Sequence, residues 1–180
     1  MAHPTSRRTV VAAALAAPLF ANADKVAAQE ATSTAGDVEA IVRAFYEPFN
    51  TGDVSVYDTI LAEDWVDVPL GPGQEPGREG FKPIVAFFRG GVFPDLELTT
   101  EDVLVDGNKA AVRSTIRGTH QGDLFGIPAT GQPVEFMAID IHRVENGQIV
   151  ETHHIEDWLS VLFQLGATIQ PGMAAATPSA

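Results

Sequence analysis

The sequence contains no cysteine. That excludes a disulfide framework, a thiol nucleophile and cysteine-based metal sites. Basic residues are scarce. Eleven Lys and Arg stand against 24 Asp and Glu, for a net charge of −13. A surface this acidic repels phosphate backbones, so nucleic acid and anionic membranes are poor partners. Long hydrophobic runs are also missing. The most apolar stretch, Thr9 to Phe20, falls well short of the ~20 residues that cross a bilayer, and no membrane anchor is expected. There is no internal repeat, serine elbow, phosphate loop, dinucleotide fingerprint or HExxH metal motif.

What is present reads as a globular protein. A length of 180 residues, 45% apolar and 19% charged, suits one domain with a core of its own. Residues 1–23 have the pattern of an export signal. Ser6-Arg7-Arg8 precedes the apolar run, and Ala21-Asn22-Ala23 offers a small-x-small cleavage site. A second cut after Ala28 is also compatible with the pattern. The paired arginines resemble a twin-arginine signal, which exports folded proteins; the alternative is an ordinary secretory signal with a positive start. The expected location is periplasmic or secreted. Residues 24–35 read as a flexible lead-in, 36–167 as the domain and 168–180 as a disordered tail.

Helical spacing of Val38, Ile41, Val42, Phe45, Tyr46 and Phe49 predicts a first helix over Asp37–Phe49, with Asp37 as N-cap. Asn50, Gly52 and Asp53 punctuate its end. A second helix carries Val54, Tyr57, Ile60 and Leu61, and Trp65 to Val68 forms a short strand. Leu70 to Gly77 is a Gly/Pro loop, and a third helix runs from about Arg78 to Arg89, stopped by Gly90-Gly91. The period then becomes strand-like over Leu96–Val105, Lys109–His120, Val134–Val144 and Gln148–Asp157. A terminal helix covers Trp158–Leu165. Helices followed by long antiparallel strands predict an α+β fold in which a curled sheet, closed by helices, encloses a pocket.

The residues best placed for chemistry lie on the last two strands. If Glu145-Asn146-Gly147 is a three-residue turn, Val144 pairs with Gln148 and Asp140 opposes Thr152. Asp140 and His154 are then diagonal neighbours on one face. A two-residue Asn-Gly turn would instead set Asp140 against His153. A carboxylate beside an imidazole on a pocket wall is acid–base equipment, although an ion pair pinning two strands has the same pattern. A metal held by His153, His154, His120, Glu156 and Asp157 is disfavoured, because adjacent residues on a strand point to opposite faces. His120 either looks into the pocket mouth or fixes the following loop. Asp157 is either an N-cap or a partner of the histidine. Trp65, Phe125, Phe136 and Trp158 are core residues or pocket walls.

An ordered series of motifs resembles one family. It comprises Gly118-Thr119-His120-Gln121-Gly122, Phe125-Gly126-Ile127-Pro128, Thr130-Gly131, Ile139-Asp140-Ile141, Arg143 to Gly147, Ile149-Val150-Glu151, His154 and Leu162 to Gly166. Phe45-Tyr46, Asn50 to Asp53, Gly77 to Gly80 and Phe93-Pro94-Asp95 belong to the same series. Together they resemble the SnoaL-like polyketide cyclases (ester cyclases) of the nuclear-transport-factor-2-like superfamily, from about Val38 to Ala167. The resemblance implies a cone-shaped α+β barrel and ring closure by intramolecular aldol condensation without metal or cofactor. It implies an Asp–His pair, which falls on Asp140 and His154, and a small hydrophobic carbonyl compound as partner. Dimers are common in the superfamily, so a homodimer is compatible with the resemblance, while the sequence leaves the oligomeric state open. The chain departs from the family pattern at Glu151-Thr152-His153-His154, at Glu156 and at Val68. Two other functions compete: an exported, non-catalytic small-molecule-binding protein, and an epoxide-type hydrolase. The hydrolase would need an Asp-Arg-Asp set with Arg113 or Arg117 pointing inward.

Overall fold

A computed structural model describes residues 34–168. The expected export signal, most of the lead-in and all but the first residue of the tail lie outside the described residues. The first helix, α1, spans Ala35–Thr51. Thr34, not Asp37, is its N-cap. The Asp37 N–H donates to Thr34 Oγ1, and Asp37 Oδ2 accepts from the Thr34 N–H at 2.9 Å. This reciprocal capping box places the acidic residue at the third helical position, so the helix starts earlier than expected. The C-terminal end is set by Gly52, left-handed at φ 81°. The second helix, α2 (Tyr57–Ile60), is shorter than expected because the chain turns directly into β1 (Leu61–Val68).

Helix α3 covers Gly77–Phe87 and runs on through a π-helical turn, Phe88–Val92. Gly90-Gly91 therefore lies within the turn and does not end the helix. The strands β2 (Glu97–Asp106), β3 (Lys109–Thr119), β4 (Pro133–Glu145) and β5 (Gln148–Glu156) follow, then α4 (Trp158–Gln164). The five strands form one sheet in the order β1-β5-β4-β3-β2, antiparallel except for β1 beside β5. This is the expected α+β architecture: helices packed on a curved, mainly antiparallel sheet.

Curvature comes from long strands broken by bulges, one in β2 between Thr100 and Asp102 and one in β5 between Ile149 and Glu151. Inside the curve, α1 lays down its stripe Val38, Val42, Phe45 and Tyr46, packed with Tyr57, Trp65 and Phe81. Burial of such large rings is the main source of stability, at roughly 25 cal/mol per Å² of apolar surface. Asn50 does more than punctuate. Its side chain donates to Leu98 O and accepts from Leu98 N, fastening α1 to the edge strand β2.

The β4–β5 register decides the site. The turn is Asn146-Gly147, both residues left-handed (φ 51° and 78°), and Glu145 pairs with Gln148. That two-residue turn alone would set Asp140 against His153. The bulge at Val150 restores the phase: Val144 pairs with Ile149 but Arg143 pairs with Glu151. Asp140 therefore stands directly opposite His154 and His142 opposite Thr152. The expected Asp140–Thr152 pairing is replaced, because the turn is one residue shorter than expected and β5 carries one residue more.

Candidate active site

The concave face of the sheet and the helices enclose a cavity of about 250 Å³. Most of its wall is apolar. Phe45 and Phe49 come from α1, Phe81 from α3, Phe88 from the π turn, Phe136 from β4 and Trp158 from α4. Trp158 stacks on Phe88 with ring centroids 5.5 Å apart and lies 5.1 Å from Phe136. Phe125 meets Trp158 edge-on from the 120–132 loop. Polar groups gather along β1, β4 and β5: Asp67, Asp140, Thr152, His154 and Glu156 all line the cavity, with Tyr46 from α1 and Gln74 from the loop after β1. An apolar chamber with a few converging polar groups is the usual form of a small-molecule site.

Strand parity explains the convergence. Alternate residues of β4 and β5 face inward, so Ala138, Asp140 and His142 meet Glu156, His154 and Thr152 in three successive pairs. His154 is mostly buried and Asp67 almost fully. His154 Nδ1 bonds Glu156 Oε1 at 2.8 Å, and its Nε2 lies 2.8 Å from Pro69 O and 3.3 Å from Asp67 Oδ1. Burial alone would lower the imidazole pKa. The hydrogen bond and charge of Glu156, the charge of Asp67 and the Pro69 carbonyl outweigh it and raise the pKa to about 9. His154 is thus a cation at neutral pH.

Asp140 is shifted in the opposite sense to most carboxylates. Burial raises it to about 7, against a hydrogen bond from the Tyr46 hydroxyl at 2.9 Å and the charge of His154. Burial also raises Asp67, opposed by the Gln74 amide, which donates at 2.8 Å, and by His154. The cavity therefore holds a carboxyl group near half-ionisation at neutral pH beside a charged imidazole. Such a pair can take a proton from one atom and stabilise negative charge on another.

The other site residues expected from the sequence divide. Phe125, Phe136 and Trp158 line the cavity; Trp65, His120 and Asp157 do not. Trp65 lies in the core, 1% exposed, with its Nε1–H on Thr152 Oγ1. His120 is fully buried and fixes the loop: its Nδ1 meets the Thr130 side chain and backbone, and its backbone holds Gln132 and Gly131. Asp157 caps α4 through Ser160 N. His153 points outward to Glu151, away from His154. Arg113 and Arg117 also point outward, paired with Asp102 and Glu135 at the surface, so neither supplies the inward arginine of an Asp-Arg-Asp hydrolase. Sequence reasoning assigned no role to Tyr46, Asp67 or Gln74. Tyr46 was detectable as a polar-tipped ring on the α1 stripe and as part of the Phe45-Tyr46 motif, and Asp67 through sharing the parity of buried Trp65.

No curated protein matches the sequence. A family model described as SnoaL-like polyketide cyclase matches residues 39–165. Solved structures agree with it. TsrD from Streptomyces laurentii is 31% identical, with 76% of this chain covering 99% of that one at a TM-score of 0.69. IdmH from Streptomyces antibioticus, named as a candidate polyketide cyclase, is 33% identical, over 72% of this chain and 99% of its own, at 0.62. A candidate polyketide cyclase from Bacillus cereus is 32% identical, over 72% of this chain and 80% of its own, at 0.63. With the family's residues matched from end to end of the folded domain, this chain belongs to the SnoaL-like polyketide cyclase family.

Proposed function

We propose that the chain is a cofactor-independent acid–base enzyme, a lyase or isomerase acting on a small hydrophobic carbonyl compound. The single observation behind the reading is that Asp140 and His154 face each other on the wall of one aromatic cavity. Ionised Asp140 is the base. It takes a proton from the carbon next to a carbonyl, and the C–H electron pair moves into that carbonyl to give an enolate. His154 is the cation that holds the enolate oxygen, its Nε2–H turning from Pro69 O to the substrate. Attack of the enolate carbon on a second carbonyl closes a ring by aldol addition, and return of the proton from Asp140 or His154 neutralises the new alkoxide. If no second carbonyl is in reach, the same steps give proton transfer. The leader adds a proposed setting outside the cytosol.

The test is exchange in D2O. Aryl ketones and 1,3-diketones of a size to fit the cavity should gain deuterium at the α-carbon in the presence of the protein, followed by NMR. Asp140→Asn should abolish the exchange while leaving the circular dichroism unchanged. Exchange that survives in the Asn variant would remove Asp140 from the mechanism.

A second reading rests on one specific observation. Both ring nitrogens of His154 are already engaged, by Glu156 on one side and by Pro69 and Asp67 on the other. A histidine so occupied suits a protein that binds its ligand without converting it. Native mass spectrometry showing a retained small molecule, with no exchange over long incubation, would favour that reading over catalysis.

A further inference from the structure

From the core to the cavity wall runs a series of buried polar groups to which the acid–base chemistry assigns no role. His142 and Thr152 oppose each other on β4 and β5, 0% and 1% exposed. Groups of this kind are costly in a core unless their hydrogen bonds are made. Here the bonds join end to end. Trp65 Nε1 is 3.0 Å from Thr152 Oγ1, Thr152 Oγ1 is 2.9 Å from His142 Nδ1, His142 Nε2 is 2.8 Å from Tyr46 Oη, and Tyr46 Oη is 2.9 Å from Asp140 Oδ2.

The chemistry of the groups fixes the direction of this chain. An indole N–H can only donate, so Thr152 Oγ1 accepts from Trp65. The Thr152 proton then goes to His142 Nδ1. A neutral imidazole that accepts at Nδ1 carries its proton at Nε2, and that proton is donated to the Tyr46 oxygen. The phenol proton has one destination left, Asp140 Oδ2. The reverse order would ask His142 Nδ1 to donate to Thr152 and would leave the threonine proton without an acceptor in the core, where an unmade hydrogen bond is costly.

We propose that His142 is a positioning residue: with Trp65 and Thr152 behind it, it locks the Tyr46 hydroxyl as a permanent donor to Asp140 and so sets the proton affinity of that carboxylate. The consequence for catalysis rests on the reading of Asp140 as the base. The hydrogen-bond order does not. A donor fixed on the charged form of a carboxylate favours ionisation. Burial drives Asp140 up, and the Tyr46 bond is the largest influence opposing it. His142 acts as a neutral dipole, because burial pushes its own pKa down to about 3. The remaining charged groups facing Asp140 are His154 and Glu156 from β5 and Asp67 from β1. None of these belongs to the chain.

The experiment titrates Asp140 directly, with no substrate. The full protein is labelled with 13C at the aspartate side-chain carboxyls, and the Asp140 signal is assigned by its loss in Asp140→Asn. Tyr46→Phe should raise the Asp140 pKa by about one unit or more, the scale set by a hydrogen bond to a charged group. His142→Phe should raise it by less, and Thr152→Val should move it the same way, whereas Thr152→Ser should leave it unchanged. The decisive variant is the double one. Because His142 acts through Tyr46, His142→Phe should add nothing in the Tyr46→Phe background. A His142 replacement that leaves the Asp140 pKa where it was, or that adds its full shift on top of Tyr46→Phe, would overturn the proposal. Should His142→Phe fail to fold, equal Asp140 pKa values in the Thr152 Val and Ser variants would overturn it as well. If these shifts appear but Asp140→Asn retains activity, the relay stands and the base assignment fails.

Discussion

Asp140 faces His154 because Val150, one residue of β5, has no partner on β4. The Asn146-Gly147 turn sets one phase and the bulge sets the other. Together they turn His154 inward and leave His153 at the surface beside Glu151. Directly opposed residues of this kind have Cβ atoms ~4.5–5.5 Å apart. In the proposed mechanism this spacing lets one substrate carbon and its carbonyl oxygen meet the two groups together. A carboxyl with a pKa of about 7 and an imidazole with a pKa of about 9 are thus held as a pair.

The first prediction is a bell-shaped pH dependence. Asp140 must be ionised to act as base, so kcat/KM for exchange should rise as pH passes about 7. His154 must stay protonated, so the rate should fall as pH passes about 9. Both limbs belong to the free enzyme and should be read from kcat/KM rather than kcat. A profile that keeps rising beyond pH 10 would remove His154 from the acid role.

Glu156 should tune both limbs. Its carboxylate raises His154 through a hydrogen bond and through charge, and raises Asp140 through charge. In Glu156→Gln the His154 pKa should fall and the Asp140 pKa should fall with it. The whole bell moves toward acid, the alkaline limb furthest because it loses the direct bond. 1H–15N spectra of the histidine ring over a pH series would show the same fall without substrate. An alkaline limb still at about 9 would mean that Glu156 does not hold the proton on His154.

Much of this architecture was legible from periodicity. Asp140 and His154 share the expected face, but for a different reason: the turn is Asn146-Gly147 rather than three residues, and the bulge at Val150 restores the phase. The α1 stripe and the long alternating strands announce themselves locally. The bulge does not. Val150 is an ordinary apolar residue in Gln148–Glu151, with no glycine to mark a break, so the direct pairing emerges only when the strands are laid together. Tyr46 and Asp67 were hidden for a different reason. Each reaches the site through an element far away in sequence, α1 crossing the sheet and β1 running parallel to β5. Trp65 shows the limit of composition: a large aromatic ring next to the site serves as a hydrogen-bond donor in the core and not as a cavity wall.

The proposed export signal gives a third prediction, independent of the site. If residues 1–23 direct twin-arginine export, changing Arg7 and Arg8 together to Lys should leave the full-length precursor in the cytosol, detected by fractionation and intact-mass analysis. An ordinary secretory signal retains its positive start in that variant and should still be cleaved and exported. Unchanged export would exclude the twin-arginine route while keeping the signal.

The last prediction concerns stability, where two buried groups of the same chain pull against each other. His142 has its pKa lowered to about 3 by burial, against about 6.5 in the unfolded chain. Between those values the unfolded state binds more protons, so His142 makes the fold less stable as pH falls through that window. Asp140 is raised to about 7, against about 3.9 unfolded. Between those values the native state binds more protons, so Asp140 makes the fold more stable as pH falls. In the wild type the two slopes oppose each other over this range, so single replacements are needed to expose either one. His142→Phe keeps the ring contact with Phe45 but removes the titrating group. Its melting temperature, compared with the wild type at each pH, should improve steadily as pH falls from about 6.5 toward 4. The limiting slope of that difference is about 1.4 kcal/mol per pH unit for one proton. Asp140→Asn should show the opposite trend, losing ground to the wild type as pH falls from about 7. A His142→Phe difference that stays constant over this range would mean that the histidine is not held neutral in the folded state, and the direction assigned to the Thr152–His142–Tyr46 chain would fall with it.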